Sequence, residues 1–283
     1  MGLVPMAELL GRARAQGYAV PAFCVWNLET MEGVLRTATA LRAPVIFMHS
    51  VIEFRWLTPA QLAEATRTLV GDRPVPVALH LDHGNSLDVV RACVDARYTS
   101  VMLDFSMRPF EENAAALREV AAIAHPHGIT VEGEIGHVGR GDTMTVEGDG
   151  DSLLTTPEEA AAYVEATGVD ALAVSIGNAH GNYPRLPRLD FARLAAIRDR
   201  VPVPLVLHGG SGTPDADLKQ AISLGIAKVN IATELVTAVR QSLLDQWSAK
   251  RNLWAPAALA EAMQAMVPVV ERWIHITGAA GRA

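Results

Sequence analysis

Cysteine is scarce in this sequence. Its 283 residues include two, Cys24 and Cys93, which excludes a disulfide framework and a cysteine-rich zinc site. Basic charge is also in deficit: 24 Lys and Arg stand against 31 Asp and Glu, for a net charge of −7, and the basic residues are scattered. A nucleic-acid binder needs a basic stripe to displace counterions, so no nucleic-acid partner is expected. No unbroken apolar run is long enough to span a bilayer. The opening residues, MGLVPMAELLGRARAQG, carry acid, arginine and glycine where a signal peptide needs an apolar centre. The expectation is a soluble cytoplasmic protein with no membrane partner. Disorder of the whole chain is excluded, because half the residues are apolar and a sizeable core is available.

What is present is a repeated unit. Short apolar, β-branched runs fall at Ala19–Val25, Pro44–Ser50, Val75–His83, Ser100–Phe105, Thr130–His137, Ala171–Asn178, Pro204–Gly210 and Ile226–Ala232. Such near-continuous hydrophobicity suits strands buried on both faces. Amphipathic stretches lie between them. Thr58-Pro59, Thr156-Pro157 and Thr213-Pro214 precede three of these, with Thr placed to cap the helix and Pro at its first position. Gly71, Gly128, Gly168 and Gly225 fall at or soon after helix ends, where a left-handed turn suits glycine. Eight strands alternating with helices predict an α/β fold, a (β/α)8 TIM barrel, as one domain over residues 1–283. A doubly wound open sheet is the alternative. Two extra C-terminal helices, Glu234–Ser248 and Pro256–Ile274, would cover the barrel or reach a neighbouring subunit.

In such barrels the site lies at the C-terminal ends of the strands, and polar residues gather there. The runs end in HLDHG (His80–Gly84), LDFS (Leu103–Ser106), EGEIGHVG (Glu132–Gly139), SIGNAHG (Ser175–Gly181), LHGGSG (Leu207–Gly212) and VNIAT (Val229–Thr233). His83, His180 and His208 come from three different strands. Three neutral imidazoles with one open position make a catalytic zinc site, whereas each histidine alone reads as a hydrogen-bonded loop residue. His80 reads as a packed core residue. His125, His127 and His275 read as surface, and His49 and His137 as substrate contacts at the mouth. Asp82 precedes His83, so on an extended strand the two would point to opposite sides. Asp82 is then a general acid/base or a carboxylate that orients a histidine ligand. Glu132 and Glu134 share a face; with Asp104 they could hold a second, harder cation, or form a salt bridge inside the barrel. Gly209, Gly210 and Ser211, with Asn230, Ile231, Ala232 and Thr233, could form an anion cradle at a helix start; a tight turn is the plainer reading.

These motifs, in this order and spacing, resemble the class II, zinc-dependent ketose-bisphosphate aldolases, and within them the tagatose-bisphosphate aldolase branch. The resemblance runs almost end to end, from VPAF…NLETM to the closing GRA, and includes HLDHG, SVMLDFS, LAVSIGNAHG, LVLHGGSG and KVNIATEL. It implies a (β/α)8 barrel, metal-dependent aldol cleavage that releases dihydroxyacetone phosphate and an aldehyde, and a homodimer or homotetramer. The default substrate would be D-tagatose 1,6-bisphosphate, with D-fructose 1,6-bisphosphate second. By resemblance His83, His180 and His208 match the zinc ligands and Asp82 the proton donor. Asp104 and Glu134 match an alternative metal position, and Gly181, Gly209 to Ser211 and Asn230 to Thr233 the dihydroxyacetone phosphate half. Asn27 matches a substrate-contacting asparagine, and Ser50 joins the substrate-binding set. A loop carboxylate for proton exchange at the nucleophilic carbon falls on Asp142, with Glu147 and Asp149 as substitutes.

The chain departs from the family at the aldehyde end. Cys24 replaces an asparagine, Val51-Ile52-Glu53 replaces a small Pro-Gly loop, and no Arg stands immediately before the last helix, Arg251 being the nearest. An aldolase for a singly phosphorylated, deoxy or non-phosphorylated ketose is therefore the alternative. Further rivals are a non-catalytic partner subunit and a metal-dependent isomerase or epimerase.

Overall fold

Eight short parallel strands pair in chain order, and the last closes onto the first. The computed structural model describes residues 2–138, 154–181, 187–252 and 254–283. The strands are β1 (Val20–Cys24), β2 (Val45–His49), β3 (Val77–Gly84), β4 (Ser100–Leu103), β5 (Thr130–Ile135), β6 (Ala171–Val174), β7 (Leu205–Leu207) and β8 (Ile226–Ile231). The expected (β/α)8 barrel is the observed one. Closure removes every sheet edge, which is why such apolar strands can exist without pairing with other chains.

Several strands stop sooner than their hydrophobicity suggests. β5, β6 and β7 end at Ile135, Val174 and Leu207, and the polar tips SIGN and HGG lie beyond them. At those tips backbone donors turn to side chains instead of the next strand. Ser175 N donates to Thr155 Oγ1 (2.8 Å) and Ile176 N to Asn178 Oδ1 (2.9 Å).

The helices around the barrel start as their caps dictate. In α3 (Pro59–Val70) and α6 (Pro157–Thr167), Thr58 and Thr156 form capping boxes with Gln61 and Glu159, each satisfying two orphan donors. α8 (Asp215–Ser223) departs from expectation. Thr213 does not cap it: Pro214 occupies the N-cap without a side-chain bond, and Asp215 and Asp217 in the first turn complement the helix dipole instead. A helix before the first strand, α1 (Met6–Gln16), was not anticipated. Val4 N donates to Val77 O and Ala7 N to Thr130 Oγ1, both at 2.9 Å. These bonds fasten the N-terminal segment to the starts of β3 and β5 and leave the opposite end of the barrel for the site. After β8 come α9 (Thr233–Ser248) and α10 (Ala255–Ile276). α10 buries Trp273, whose Nε1 donates to Glu234 Oε2 (2.9 Å) on α9.

Candidate active site

His83, His180 and His208 converge from β3, the loop after β6 and the end of β7. Their ring centroids lie 4.8 to 5.7 Å apart, and one ligand atom from each lies within 4.8 Å of the others. Each ring is held by its other nitrogen. His83 Nδ1 donates to Asp104 Oδ2 (2.7 Å), His180 Nδ1 to Val138 O (3.1 Å) and His208 Nε2 to Glu132 Oε1 (2.9 Å). Tethering of this kind fixes tautomer and orientation in metal sites. Among the described residues, His83 Nε2 is buried without a hydrogen-bond partner, and His208 Nδ1 and Glu134 Oε2 lie buried 3.1 Å apart. A buried ring nitrogen without a partner is costly unless something fills the space beside it, and a cation suits this donor set.

The two acids on β5 divide their work. Glu132 forms the barrel-interior salt bridge, with Lys228 Nζ at 2.7 Å. Glu134 joins Asp104 and His83 in a second group able to hold a cation. The two groups share His83.

Electrostatics follow from this crowding. Burial opposes charge on His208, but Glu132 and Glu134 outweigh it and push its pKa up to about 10. His83 is also raised: burial opposes, and Asp82 and Asp104 prevail. His180 faces burial and two neighbouring imidazoles, which push it down to about 4. Burial raises both Asp104 and Glu132, but His83 and the Ser106 donors hold Asp104, and Lys228 with His80 and His208 holds Glu132, well below the usual carboxylate range.

Asp82 and His83 do not point to opposite sides. The register between β3 and β4 shifts between Leu81 and Gly84, and His83 has φ +46°. The irregularity re-aims one side chain, as bulges beside active sites do, so both residues line one cavity. Asn230 Nδ2 donates to Asp82 Oδ1 (3.0 Å). Burial raises Asp82, yet the His83 and His208 charges outweigh it and keep its pKa low.

The cavity has a volume of about 560 Å³, and Gly181, Gly209, Ser211, Asn230, Ala232 and Thr233 form its β6–β8 side. Gly209 has φ +65°, and a Cβ there would stand 1.9 Å from Ala179 O; only glycine fits. Glu234 N donates to Ser211 Oγ (3.3 Å) at the start of α9. The close-packed glycine backbone and the start of α9 make this side suited to an anion. Gly210 and Ile231 are not in the lining: a Cβ on Gly210 would meet Val229, Asn230 O and Trp273, and Ile231 is buried in the core. Sequence reading missed Met48 and Val138 in the lining. It also missed Ser106, which donates to Asp104 Oδ1 (2.7 Å). Neither an apolar lining residue nor a supporting hydroxyl carries a motif of its own.

Other expected contacts lie elsewhere. His137 lines the cavity, but His49 does not reach the mouth; it is fully buried, with Nδ1 2.9 Å from Tyr98 Oη. Asn27 caps α2 (Leu28–Ala40), accepting from Thr30 N at 2.9 Å. Ser50 lines a separate apolar groove with Cys24, Trp26, Ile52 and α9 residues, and its N and Oγ both donate to Glu53 Oε2 (2.7 and 2.9 Å). Burial, Glu53 and Asp82 push the Cys24 thiol up. Arg251 pairs with Glu261 of its own chain (3.4 Å). Asp142, Glu147 and Asp149 lie outside the described residues.

Comparison with known proteins agrees with this geometry. Residues 4–282 match the family model described as fructose-bisphosphate aldolase class-II. The D-tagatose-1,6-bisphosphate aldolase subunit GatY of Klebsiella oxytoca is 40% identical over 284 residues, covering 100% of both chains. Among solved structures, the YdjI aldolase of Escherichia coli K12 superposes with a TM-score of 0.89 at 34% identity, covering 99% of each chain. Fructose-bisphosphate aldolase of Campylobacter jejuni, at 24% identity and a TM-score of 0.86 over 100% of this chain and 97% of that one, supports the fold alone.

Proposed function

The chain belongs to the class II fructose-bisphosphate aldolase family, and from that premise we propose that it is a zinc-dependent aldolase. It reversibly cleaves a ketose bisphosphate, D-tagatose 1,6-bisphosphate or D-fructose 1,6-bisphosphate, to dihydroxyacetone phosphate and an aldehyde. The observation that carries this reading is the histidine cluster, in which each ring is tethered by one nitrogen and the others gather within 4.8 Å. His83, His180 and His208 would hold the zinc, with Asp104 and Glu134 offering an alternative position. When bound, zinc would polarise the oxygens of the ketose and so favour breaking the C3–C4 bond, one carbon removed from the carbonyl.

The chain's own residues supply the rest. The β6–β8 side of the cavity, with Gly181, Gly209, Ser211, Asn230, Ala232 and Thr233, binds the phosphate of the dihydroxyacetone half and sets the sugar's direction. Asp82, kept ionised and oriented by Asn230, takes the proton of the C4 hydroxyl as the C3–C4 bond breaks, and returns it in condensation. Proton exchange at C3 falls to Asp142.

A second reading, an aldolase for ketoses without the second phosphate, is favoured by Ser50. Both donors it could offer an anion are already taken by the Glu53 carboxylate. A panel of phosphorylated ketoses given to zinc-loaded protein separates the readings. Release of dihydroxyacetone phosphate from both bisphosphates supports the first; release from singly phosphorylated ketoses alone supports the second. Isomerised sugar with an unchanged carbon count would contradict both.

The protein works in the cytoplasm, where Cys24 and Cys93, both free, stay reduced. It assembles as a homodimer or homotetramer, as its exposed Trp56, Leu244, Trp247 and Trp254 suggest.

A further inference from the structure

Lys228 has no part in the cavity, yet it is fully buried inside the barrel on β8, between the apolar neighbours Ala227 and Val229. Its ammonium lies 2.7 Å from Glu132 Oε2, and the other oxygen of the same carboxylate accepts from His208 Nε2 at 2.9 Å. Lys228, Glu132 and His208 are all at 0% exposure, so solvent neither screens nor replaces these bonds. Apolar residues of similar volume would fill such a space at less desolvation cost. The arrangement therefore calls for a reason beyond packing.

The reason lies in which His208 nitrogen is left for a cation. Because the Glu132 carboxylate accepts from Nε2, Nδ1 is the nitrogen left for a cation: it is buried, faces Glu134 Oε2 at 3.1 Å, and His208 joins the three-histidine group. Glu132 has another neighbour to which it could turn. His80 Nε2, buried and without a hydrogen-bond partner among the described residues, is 3.8 Å from Glu132 Oε2. Lys228 grips that oxygen and so keeps Oε1 on His208. We propose that Lys228 is a positioning residue: through Glu132 it fixes His208 in the tautomer and orientation that bind the metal.

This role rests on the reading of the histidine cluster as a zinc site, and the test separates the two. Zinc affinity is measured by chelator competition in the wild type, in Lys228→Met and in the double variant Lys228→Met with Glu132→Gln. Thermal unfolding and the visible spectrum of the cobalt-substituted proteins are recorded alongside. The double variant removes both buried charges together, so it serves even where the single variant fails to fold. Zinc binding weakened about 10- to 100-fold in the double variant, with an altered cobalt spectrum, is the expected result. Affinity within about twofold of wild type, whether or not the melting temperature falls, means a merely structural pair and overturns the role of Lys228 alone. A wild type that takes up no zinc overturns the underlying reading and this role together.

Discussion

His83 is the residue on which sequence and structure differ most usefully. That it belongs to a site was legible, because histidines on three strand ends of a barrel have one obvious meeting place. Its direction was not, because alternation along a strand assumes extended backbone and His83 has φ +46°. The shift brings Asp82 into the same cavity, beside the histidine cluster. Asp82→Asn keeps the shape and the contact with Asn230 but removes the proton acceptor. It is expected to lower kcat by about 10²- to 10⁴-fold while zinc content stays at the wild-type level. Loss of zinc in this variant would instead make Asp82 a support for His83. Asn27 shows the opposite limit: an asparagine matched to substrate contact is engaged as a helix cap, and only the helix start could have revealed that.

At the scale of elements, the strands and their order were legible from buried apolar runs, and their ends were not. Hydrophobicity continues past the last ladder bond, so β6 was read to Asn178 where it ends at Val174. The same continuity placed His49 at the mouth, although it is the last residue of β2 and lies buried against Tyr98. β2 and β3 thus carry two enclosed histidines. Burial pushes His49 down to about 4; His80 falls to about 3 through burial and Lys228. Above the ordinary histidine pKa of about 6.5 both are neutral, folded or unfolded, and contribute no pH dependence. As pH falls from there towards 4, the unfolded chain takes up protons that the folded one refuses, so stability is lost, by about 1.4 kcal/mol per histidine per pH unit. His49→Asn should flatten the fall in unfolding free energy between pH 6.5 and 4.5 by that amount for one group. An unchanged slope in urea titrations would show that His49 accepts a proton in place.

For the whole molecule, the barrel was legible because eight similar units admit few closures, and the site followed from the barrel. The helix that covers its base, α1, was not, since a short amphipathic stretch before the first strand has no motif to announce it. Closure at that end by α1, and at the side by α10, leaves, among the described residues, a mouth where His83, His180, Asp82 and the β6–β8 backbone share a cavity. The activity proposed for this mouth is metal-dependent carbon–carbon cleavage. Its most direct test compares release of dihydroxyacetone phosphate from D-tagatose and D-fructose 1,6-bisphosphate by zinc-loaded, chelator-stripped and zinc-restored protein. Release that disappears on stripping and returns with zinc is the predicted result. Equal release by stripped protein, or none by zinc-loaded protein, would contradict it.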